Sequence, residues 1–278
     1  MKPENAEQSK LWNGTAGAAW VEGQELLDGM FEPFARLLVQ EAQGVAARQV
    51  LDVGCGAGAT TLAIARTLAP GGECTGIDIS EPLVTVARTR AAREGLAAEF
   101  LCADAQTAPL PAGHFDLLVS RFGVMFFDDP VRAFANLRQA AAPGARLRFI
   151  AFRGAAENSF MTAAERAAAP FAPDLPPRKP GAPGQFALAD RALAEALLRD
   201  SGWAEAQLRP LDVECRFPAA ALEHYMTRLG PVGLYLSQAD PATRARLLEA
   251  VRNGFAPYLH GDEVRFDAAC WLLCAQNR

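Results

Sequence analysis

The sequence has few of the residues that bind metals and lacks the long apolar runs that cross membranes. It contains three histidines and six cysteines in 278 residues. These residues show no metal-ligand spacing, so we expect no metal site. No apolar run reaches the roughly 20 residues that a transmembrane helix needs. The first residues, MKPEN, do not follow a signal-peptide pattern, and we expect a cytoplasmic protein that does not act at a membrane.

Clusters of basic residues are also missing. The chain carries 27 Lys and Arg against 32 Asp and Glu, a formal net charge of −5. Nucleic-acid-binding surfaces are basic, so we expect no nucleic-acid partner. The cysteines are scattered, and we interpret them as reduced, small apolar residues. Half of the residues are hydrophobic, which is enough to build a large core at this length.

The most informative segment is the run from 50 to 61, VLDVGCGAGATT. An apolar stretch ends in an acid, glycines follow at alternate positions, and a helical pattern begins. This order predicts a strand, a glycine loop and a helix, the arrangement that opens a nucleotide pocket in α/β proteins. Glycine lets the backbone turn sharply and a ligand approach closely, and the start of the helix offers free N–H groups. The loop residues that we assign to cofactor binding are Gly54, Cys55, Gly56, Gly58 and Thr60.

The acid before the loop distinguishes between two kinds of cofactor. Gly54, Gly56 and Ala59 also fit a dinucleotide fingerprint. The carboxylate of Asp52, however, would repel the pyrophosphate of a dinucleotide. S-adenosylmethionine carries an ammonium group and no phosphate, so we interpret Asp52 as one of its partners. A plain turn between a strand and a helix is the structural alternative.

Two further acids each end a short apolar strand. Asp78 ends the segment ECTGID, about 20 residues beyond the loop, where a carboxylate accepts hydrogen bonds from ribose hydroxyls; Ile79 follows it. Ser80 is expected to cap the next helix. Asp104 ends a third strand and is expected to take the adenine amino group. The backbone N–H groups of the next two residues, Ala105 and Gln106, would face the ring. Either acid has an alternative interpretation as a capping or loop residue.

In this order, the motifs resemble those of the class I S-adenosylmethionine-dependent methyltransferases. The resemblance is strongest to the bacterial small-molecule branch, which is similar to ubiquinone/menaquinone C-methylases and natural-product methyltransferases, and it covers roughly residues 30 to 152. It implies a Rossmann-like α/β fold with a mostly parallel seven-stranded sheet and helices on both faces. It also implies methyl transfer to a small, apolar or aromatic acceptor of secondary metabolism. The methionine moiety would lie at the loop from Asp52 to Gly58, the ribose at Asp78 and the adenine at Asp104.

The resemblance extends to residues 115–127, FDLLVSRFGVMFF. It implies a buried strand that runs into an aromatic loop beside the sulfonium and the acceptor. It assigns Ser120 and Phe122 to the cofactor, Phe126 to the acceptor pocket and Arg121 to a catalytic role. A cation over an aromatic face gains about 0.5–2 kcal/mol, so rings near a sulfonium have a physical reason. Ordinary core packing is the alternative for these aromatic residues.

The segments outside the core predict a cover and a cap. We expect an N-terminal helical cover over residues 1–45, in which Trp12 and Trp20 close over the cofactor. The cofactor-binding core would span 46–152. A proline-rich lid would follow at 153–188, and 189–278 would complete the core around a helical cap at 219–260. Phe160 and Tyr225 are assigned to the acceptor pocket. The alternatives are hydrophobic anchoring for the tryptophans, and helix packing or a dimer face for the cap.

Methyl transfer needs alignment and exclusion of water more than it needs acid–base chemistry. A base is required only for a hydroxyl or an unactivated carbon, and the candidates are His224, His260 and Tyr225, with Arg121 as an anion clamp. We predict His224 as the base. The methylated atom stays open, and we expect a monomer or homodimer. The alternative functions are an NAD(P)-dependent oxidoreductase and a methyltransferase-like protein that binds cofactor without turnover.

Overall fold

The computed structural model describes residues 5–175, 178–179 and 181–278 of the chain. Its strands are β1 (Gln49–Val53), β2 (Glu73–Asp78), β3 (Ala98–Cys102), β4 (Phe115–Arg121), β5 (Ala141–Phe152), β6 (Ala204–Pro218), β7 (Leu259–His260) and β8 (Glu263–Gln276). They form one sheet in the order β3-β2-β1-β4-β5-β8-β6, and the two-residue β7 pairs with β8. The first five strands are parallel, and β8 is antiparallel to both β5 and β6. The predicted Rossmann-like, mostly parallel sheet is confirmed.

Helices surround the sheet. They are α1 (Ala6–Trp12), α2 (Thr15–Glu22), α3 (Gln24–Met30), α4 (Glu32–Gly44), α5 (Ala59–Ala65), α6 (Glu81–Glu94), α7 (Pro130–Ala140), α8 (Ala163–Ala168), α9 (Arg191–Asp200), α10 (Leu222–Arg228), α11 (Gly230–Gln238) and α12 (Pro241–Gly254). Short 3₁₀ turns span Gly123–Phe126, Ala219–Ala221 and Ala256–Tyr258. Side chains of aspartates cap α7, α9 and α12 by accepting hydrogen bonds from first-turn N–H groups.

The central strands are covered on both faces. Leu117, Leu118 and Val119 are consecutive in β4 and all have 0% exposure. Because neighbouring side chains in a strand point to opposite faces, such a run requires apolar cover on each side. The strand order reverses between β1 and β4, which places the crevice for a ligand at their carboxyl ends.

At this crevice, the loop after β1 touches the turn after β4. A Cβ added to Gly123 would lie 2.5 Å from the Cα of Gly54 and 2.6 Å from the carbonyl oxygen of Val53. The hydroxyl of Ser120 donates to that same Val53 oxygen at 2.7 Å and accepts from the Gly123 N–H at 3.2 Å. The two strand ends are therefore held together through backbone groups, with no room for a side chain between them.

The N-terminal helices are tied to the end of β2. Asn13 donates from Nδ2 to the carbonyl of Ile79 at 2.9 Å and accepts at Oδ1 from the N–H of Glu81 at 3.0 Å. The expected side-chain cap by Ser80 is absent, because its hydroxyl donates to the Trp12 carbonyl at 2.7 Å. Asn13 therefore accepts the hydrogen bond from the first N–H of α6. Asn13 is distant from α6 in sequence and lies in the segment that was expected to form the cover.

The proline-rich segment and the cap also border the crevice. The N–H of Gly184 donates to the carbonyl of Met125 at 2.9 Å, which attaches the segment to the turn after β4. Helix α8 packs against α12 and α11. Pro176, Pro177 and Pro180, which belong to the expected lid, lie outside the described residues.

Because of the backbone contact at Gly123, we predict that adding a single methyl group there strongly destabilises the fold. Gly123→Ala should lower the free energy of unfolding by about 1–3 kcal/mol, because the Cβ overpacks rigid backbone. The matched control is Gly29→Ala, at an exposed site within α3 where an added Cβ meets nothing within 4 Å. It should raise the stability by up to about 1 kcal/mol through helix propensity. Urea unfolding measures both, and a Gly123→Ala protein as stable as wild type would contradict the contact.

Candidate functional site

A cavity of about 500 Å³ opens at the carboxyl ends of the parallel strands, a typical size for a small-molecule site. It brings together most of the residues that the sequence assigned. On the cofactor side, the lining includes Gly54, Gly56, Asp78, Ile79, Asp104 and Ala105. The lining also includes Arg121 and the assigned aromatic residues Trp20, Phe122, Phe126, Phe160 and Tyr225. A smaller pocket of about 50 Å³ beside the glycine loop contains Asp52, Cys55 and Thr60.

The three loop glycines differ in what they make room for. Gly56 has φ +53, and a Cβ there would meet nothing within 4 Å, so it faces open space in the cavity. Gly54 leaves room for the backbone of Gly123. A Cβ on Gly58, at φ +83, would lie 3.0 Å from the side chains of Ala87 and Phe100. Of the three, Gly56 therefore leaves open space toward the cavity, while close packing explains the other two.

Asp78 joins the glycine loop to the end of β2. Its Oδ2 accepts from the N–H of Gly56 at 2.8 Å, and its Oδ1 accepts from the N–H of Ser80 at 2.9 Å. Burial raises the pKa of this carboxyl, and these hydrogen bonds act against the rise. Each carboxylate oxygen has a second lone pair, so Asp78 keeps the capacity to accept ribose hydroxyls.

Asp52 is a buried acid behind the loop. It has 1% exposure, and its Oδ2 accepts from the hydroxyl of Thr61 at 2.6 Å. Burial raises the pKa of Asp52 to about 6, although the Thr61 hydrogen bond and the charge of Arg121 act in the opposite direction. The carboxyl therefore lies in a site that favours a nearby positive charge.

Arg121 belongs to an ionic group that the sequence did not reveal. Its Nη1 donates to the carbonyl of Phe31 at 3.2 Å, and its Nη2 lies 3.8 Å from Oδ1 of Asp28. Asp28 also pairs with Arg90 at 2.8 Å. Burial lowers the pKa of Arg121, and the carboxylates of Asp28 and Asp52 act against that shift. Two carboxylates and a guanidinium around the small pocket suit the ammonium and carboxylate of an amino-acid moiety.

Unpartnered hydrogen-bond acceptors meet at the end of β3. Asp104 accepts at Oδ1 from the Gln106 N–H at 3.0 Å and from Nδ2 of Asn5 at 3.2 Å. Its Oδ2, Oδ1 of Asn5 and Oε1 of Gln8 are buried without a hydrogen-bond partner among the described residues. All three side chains line the cavity. Buried acceptors require a donor, and the adenine amino group supplies one, so the site fits S-adenosylmethionine. Sequence reasoning missed Asn5 and Gln8, whose position depends on tertiary contacts.

Several expected cofactor ligands use their polar groups within the protein. The hydroxyl of Ser120 is engaged by Val53 and Gly123, as described above. Oε1 of Gln106 accepts from the N–H of Asp129 at 2.9 Å. Burial raises the pKa of the Cys55 thiol well above its usual value, which keeps it protonated. The hydroxyl of Thr60, by contrast, is buried without a partner in the described part of the chain, beside the small pocket.

Aromatic rings cover the middle of the cavity. The ring of Trp12 makes edge contacts with Trp20 at 5.5 Å and with Phe126 at 5.2 Å between centroids. Phe122 adopts φ +70, rare for a bulky residue, and stacks on Phe152 at 4.3 Å. These five rings line the same cavity as the glycine loop, with Trp12 and Trp20 in the expected cover.

The far end of the cavity is built from packed rings. Phe160 has 1% exposure, stacks on Phe266 at 3.7 Å and lies 5.3 Å from Tyr225. Tyr225 directs its hydroxyl to the sulfur of Met161 at 3.9 Å. Burial raises the pKa of Tyr225, so the phenol stays protonated and is a poor base.

The histidines do not take the place that the sequence gave to a base. His224 is absent from the described lining of the cavity, because its ring faces Gly23 on the other side of α10. Its Nε2 is buried without a partner in the described structure. His260 lies exposed on β7, and His114 lies exposed in the turn before β4. The geometry therefore gives no support to His224 as the base.

Three further features of the described residues concern metal ions, membranes and the cysteines. No group of three or more His, Cys, Asp or Glu side chains there is arranged to hold a metal ion. Among the helices of that same part, none is both long and apolar enough to cross a membrane. All six cysteines lie in this part of the chain and are free.

Comparison with known proteins identifies the family. Residues 50–144 match the model of the methyltransferase domain. Over 241 residues, the chain is 30% identical to nocamycin O-methyltransferase of Saccharothrix syringae, covering 80% of this chain and 83% of the relative. The chain belongs to the class I S-adenosylmethionine-dependent methyltransferases. The sequence resemblance is thus confirmed.

Other proteins are similar over a shorter region or in fold alone. This methyltransferase is 35% identical over 125 residues to demethylmenaquinone methyltransferase of Thermus thermophilus, covering 45% of this chain and 56% of the relative. The chain spans about half the length of this and other curated relatives that it matches. The YcgJ protein of Bacillus subtilis superimposes with a TM-score of 0.59 at 18% identity, covering 88% of this chain and 97% of that one. That likeness shows the fold.

The raised pKa of Asp52 predicts a stability difference that depends on pH. When the pKa of a carboxyl is higher in the folded protein than in the unfolded chain, ionisation of that carboxyl lowers the free energy of unfolding. For Asp52, this loss occurs as the pH rises from about 4 to about 6. Asn cannot ionise, so Asp52→Asn should be more stable than wild type near neutral pH, by up to about 3 kcal/mol. The difference should shrink toward about pH 4. Urea unfolding of both cofactor-free proteins across this range measures it, and a difference independent of pH would contradict the shift.

The three acceptors at β3 predict selection for an amino group on the base. S-inosylhomocysteine carries a ring carbonyl where S-adenosylhomocysteine carries the amino group, so it should bind at least about tenfold more weakly. Gln8→Met removes one acceptor and should reduce the ratio between the affinities for S-adenosylhomocysteine and S-inosylhomocysteine. Lys10→Gln, at an exposed position on the same helix, should leave it unchanged. Calorimetry gives both affinities, and equal binding of the two nucleosides by wild type would contradict the assignment.

Proposed function

We propose that this protein transfers a methyl group from S-adenosylmethionine to a small, apolar or aromatic metabolite. The observation that carries the proposal is a single cavity with two unlike ends. Carboxylates and open backbone line the end at Gly56, Asp78 and Asp104, and packed apolar side chains line the end at Phe160 and Tyr225. Such a cavity suits a polar cofactor at one end and an apolar acceptor at the other, and this arrangement supports the proposal.

Each part of the cofactor has a matching set of residues. Asp104, Asn5 and Gln8 would hold the adenine, and Asp78 the ribose. The glycine loop would hold the methionine moiety, with Asp52 as the partner of its ammonium group. When bound, S-adenosylmethionine supplies a methyl group on a positively charged sulfur. The protein contributes the position of that group and the surroundings in which it reacts.

The acceptor end favours an apolar ligand. Its lining comes from the lid segment and from helices α10 and α11, and the side chains there are mostly aromatic, aliphatic or thioether groups: Phe160, Met161, Met226, Leu229, Val232 and Phe255. Burial of apolar surface then drives binding, and the few polar groups set the orientation of the acceptor.

Exclusion of water is the main chemical contribution of the cover. Trp12, Trp20 and Phe126 close the cavity at its middle, between the glycine loop and the cap. A dry cavity strengthens electrostatic interactions and prevents hydrolysis. The faces of these rings also suit a nearby positive charge, with about 0.5–2 kcal/mol for each favourable contact.

An oxidoreductase is less consistent with the site. A dinucleotide would bring its pyrophosphate to the glycine loop, where Asp52 and Asp28 place two carboxylates beside the small pocket. A protein that holds the cofactor without turnover has the same cofactor end, so product analysis separates it from an enzyme.

We also propose a cytoplasmic enzyme of secondary metabolism, acting as a monomer or homodimer without nucleic-acid or membrane partners. The net charge of −5 supports the absence of a nucleic-acid partner. The likeness to nocamycin O-methyltransferase over most of the chain supports a role in natural-product synthesis.

Binding and product analysis test this function. Calorimetry should show binding of S-adenosylhomocysteine and none of NAD. Asp78→Ala should weaken that binding by about 2–4 kcal/mol, because two charge-assisted hydrogen bonds are lost. Asp267→Ala, at an exposed acid on β8, is the control and should bind normally. Incubation of wild type with methyl-labelled cofactor and a panel of small phenols, acids and amines should give a methylated product by mass analysis. Binding of NAD instead would overturn the proposal, as would the absence of product from every acceptor.

A further inference from the structure

One group of charged and polar side chains lies in the mostly apolar acceptor end. Arg178 donates from Nε to Oε2 of Glu165 at 2.7 Å and from Nη2 to Oε1 of Glu165 at 2.6 Å. The same Nη2 donates to Oε1 of Gln185 at 3.1 Å. All three side chains line the cavity. We call Glu165, Arg178 and Gln185 the lid cluster.

The backbone connects the lid cluster to the turn beside the glycine loop. Gln185 follows Gly184, whose N–H is bonded to the carbonyl of Met125. Met125 belongs to the turn Gly123–Phe126, and the first residue of that turn touches Gly54 of the glycine loop. The turn therefore lies between the glycine loop and the lid cluster. An acceptor that reaches from the apolar end toward the cofactor presents its polar group to this cluster.

The guanidinium of Arg178 is held in a fixed orientation. It lies 4.8 Å from the ring centroid of Phe186, which in turn contacts Phe152 at 6.3 Å. The bidentate pair with Glu165 fixes both charged groups relative to each other. Within the lid cluster, Arg178 and Glu165 thus form an ordered pair of one donor and one acceptor with no net charge.

Such a pair is complementary to a hydroxyl group. A hydroxyl donates to the carboxylate and accepts from the guanidinium, whereas an anion is repelled by Glu165 and an ammonium group by Arg178. We propose that the methyl acceptor is a phenol or an enol, that its hydroxyl binds beside the Glu165–Arg178 pair, in contact with both side chains, and that Glu165 removes its proton. This inference rests on the proposed function and names its substrate class and its base.

The acceptor, the cofactor and Glu165 account for every bond and proton in the transfer. The O–H bond of the acceptor breaks and its proton passes to a carboxylate oxygen of Glu165. An electron pair of the acceptor oxygen forms the new bond to the methyl carbon, and the methyl–sulfur bond breaks with its electron pair left on sulfur. Arg178 stabilises the negative charge that develops on the acceptor oxygen.

Other groups in the described lining are less suited to this role. Tyr225 has a raised pKa and is protonated. Asp78 and Asp104 lie at the cofactor end, where we assign them to the ribose and the adenine. Glu165 is the carboxylate of the described lining that lies at the acceptor end.

Ligand binding tests the hydroxyl preference without turnover. In the presence of saturating S-adenosylhomocysteine, calorimetry compares naphthol, naphthylamine and naphthalene, which share a ring system and differ in one substituent. Naphthol should bind wild type at least about tenfold more tightly than the other two. Glu165→Gln should abolish that preference and leave the affinity for S-adenosylhomocysteine unchanged. Its amide oxygen still accepts from Arg178, so the lid contact is retained.

The matched control is Glu195→Gln, which alters one half of an exposed ion pair with Arg191 on α9. It should bind all three compounds as wild type does. With methyl-labelled cofactor, wild type should convert naphthol to its methyl ether. Glu165→Gln should lower kcat by about 100-fold or more, with a smaller change in KM.

The outcomes separate this inference from the function on which it rests. If wild type shows no preference for naphthol, if none of the three compounds binds, or if the preference persists in Glu165→Gln, the lid cluster is not the hydroxyl site. Methylation of other acceptors only at nitrogen or carbon also overturns the inference, while methyl transfer itself stands. Failure to bind S-adenosylhomocysteine would instead overturn the proposed function.

Discussion

The backbone contact between Gly54 and Gly123 is the constraint on which the site depends. It brings the loop after β1 and the turn after β4 to within van der Waals distance, at the point where the strand order of the sheet reverses. On one side, the glycine loop leads to the acids at the ends of β2 and β3. On the other, the turn leads through Met125 to the lid segment. A side chain at either glycine would separate these two halves, and the cavity would no longer be continuous.

The two ends of the cavity also differ in their charged groups. Carboxylates at the strand ends are partly removed from water, and burial raises the pKa of Asp52 and of Asp78. Groups that are costly to ionise in isolation are stabilised by a ligand with positive charge or with donors. At the opposite end, the charges of Glu165 and Arg178 cancel within one ion pair. The cavity thus has uncompensated hydrogen-bond acceptors at one end and a neutral, oriented ion pair at the other.

The sequence predicted those parts of the site that are encoded locally. The acids Asp52, Asp78 and Asp104 each end an apolar strand, and parallel strands bring their carboxyl ends to one edge, so their proximity follows from the pattern. The contributions of Asn5, Gln8 and Asp28 arise from N-terminal helices that dock on the core through tertiary contacts, and no local motif marks them. Helical periodicity placed His224 near the cap but did not fix which way its ring turns. Ser120 shows a further limit, because a hydroxyl beside a site can be used entirely by backbone.

The hydrogen bonds that hold the N-terminal helices have a kinetic consequence. Asn5 bonds to Asp104, and Asn13 and Trp12 bond to the segment just after Asp78, so residues 5–13 are attached to the strand ends that carry these two acids. If a nucleoside bound at these acids can leave only when residues 5–13 detach, the rate of that detachment limits the exchange of spent cofactor, whatever the speed of the chemical step.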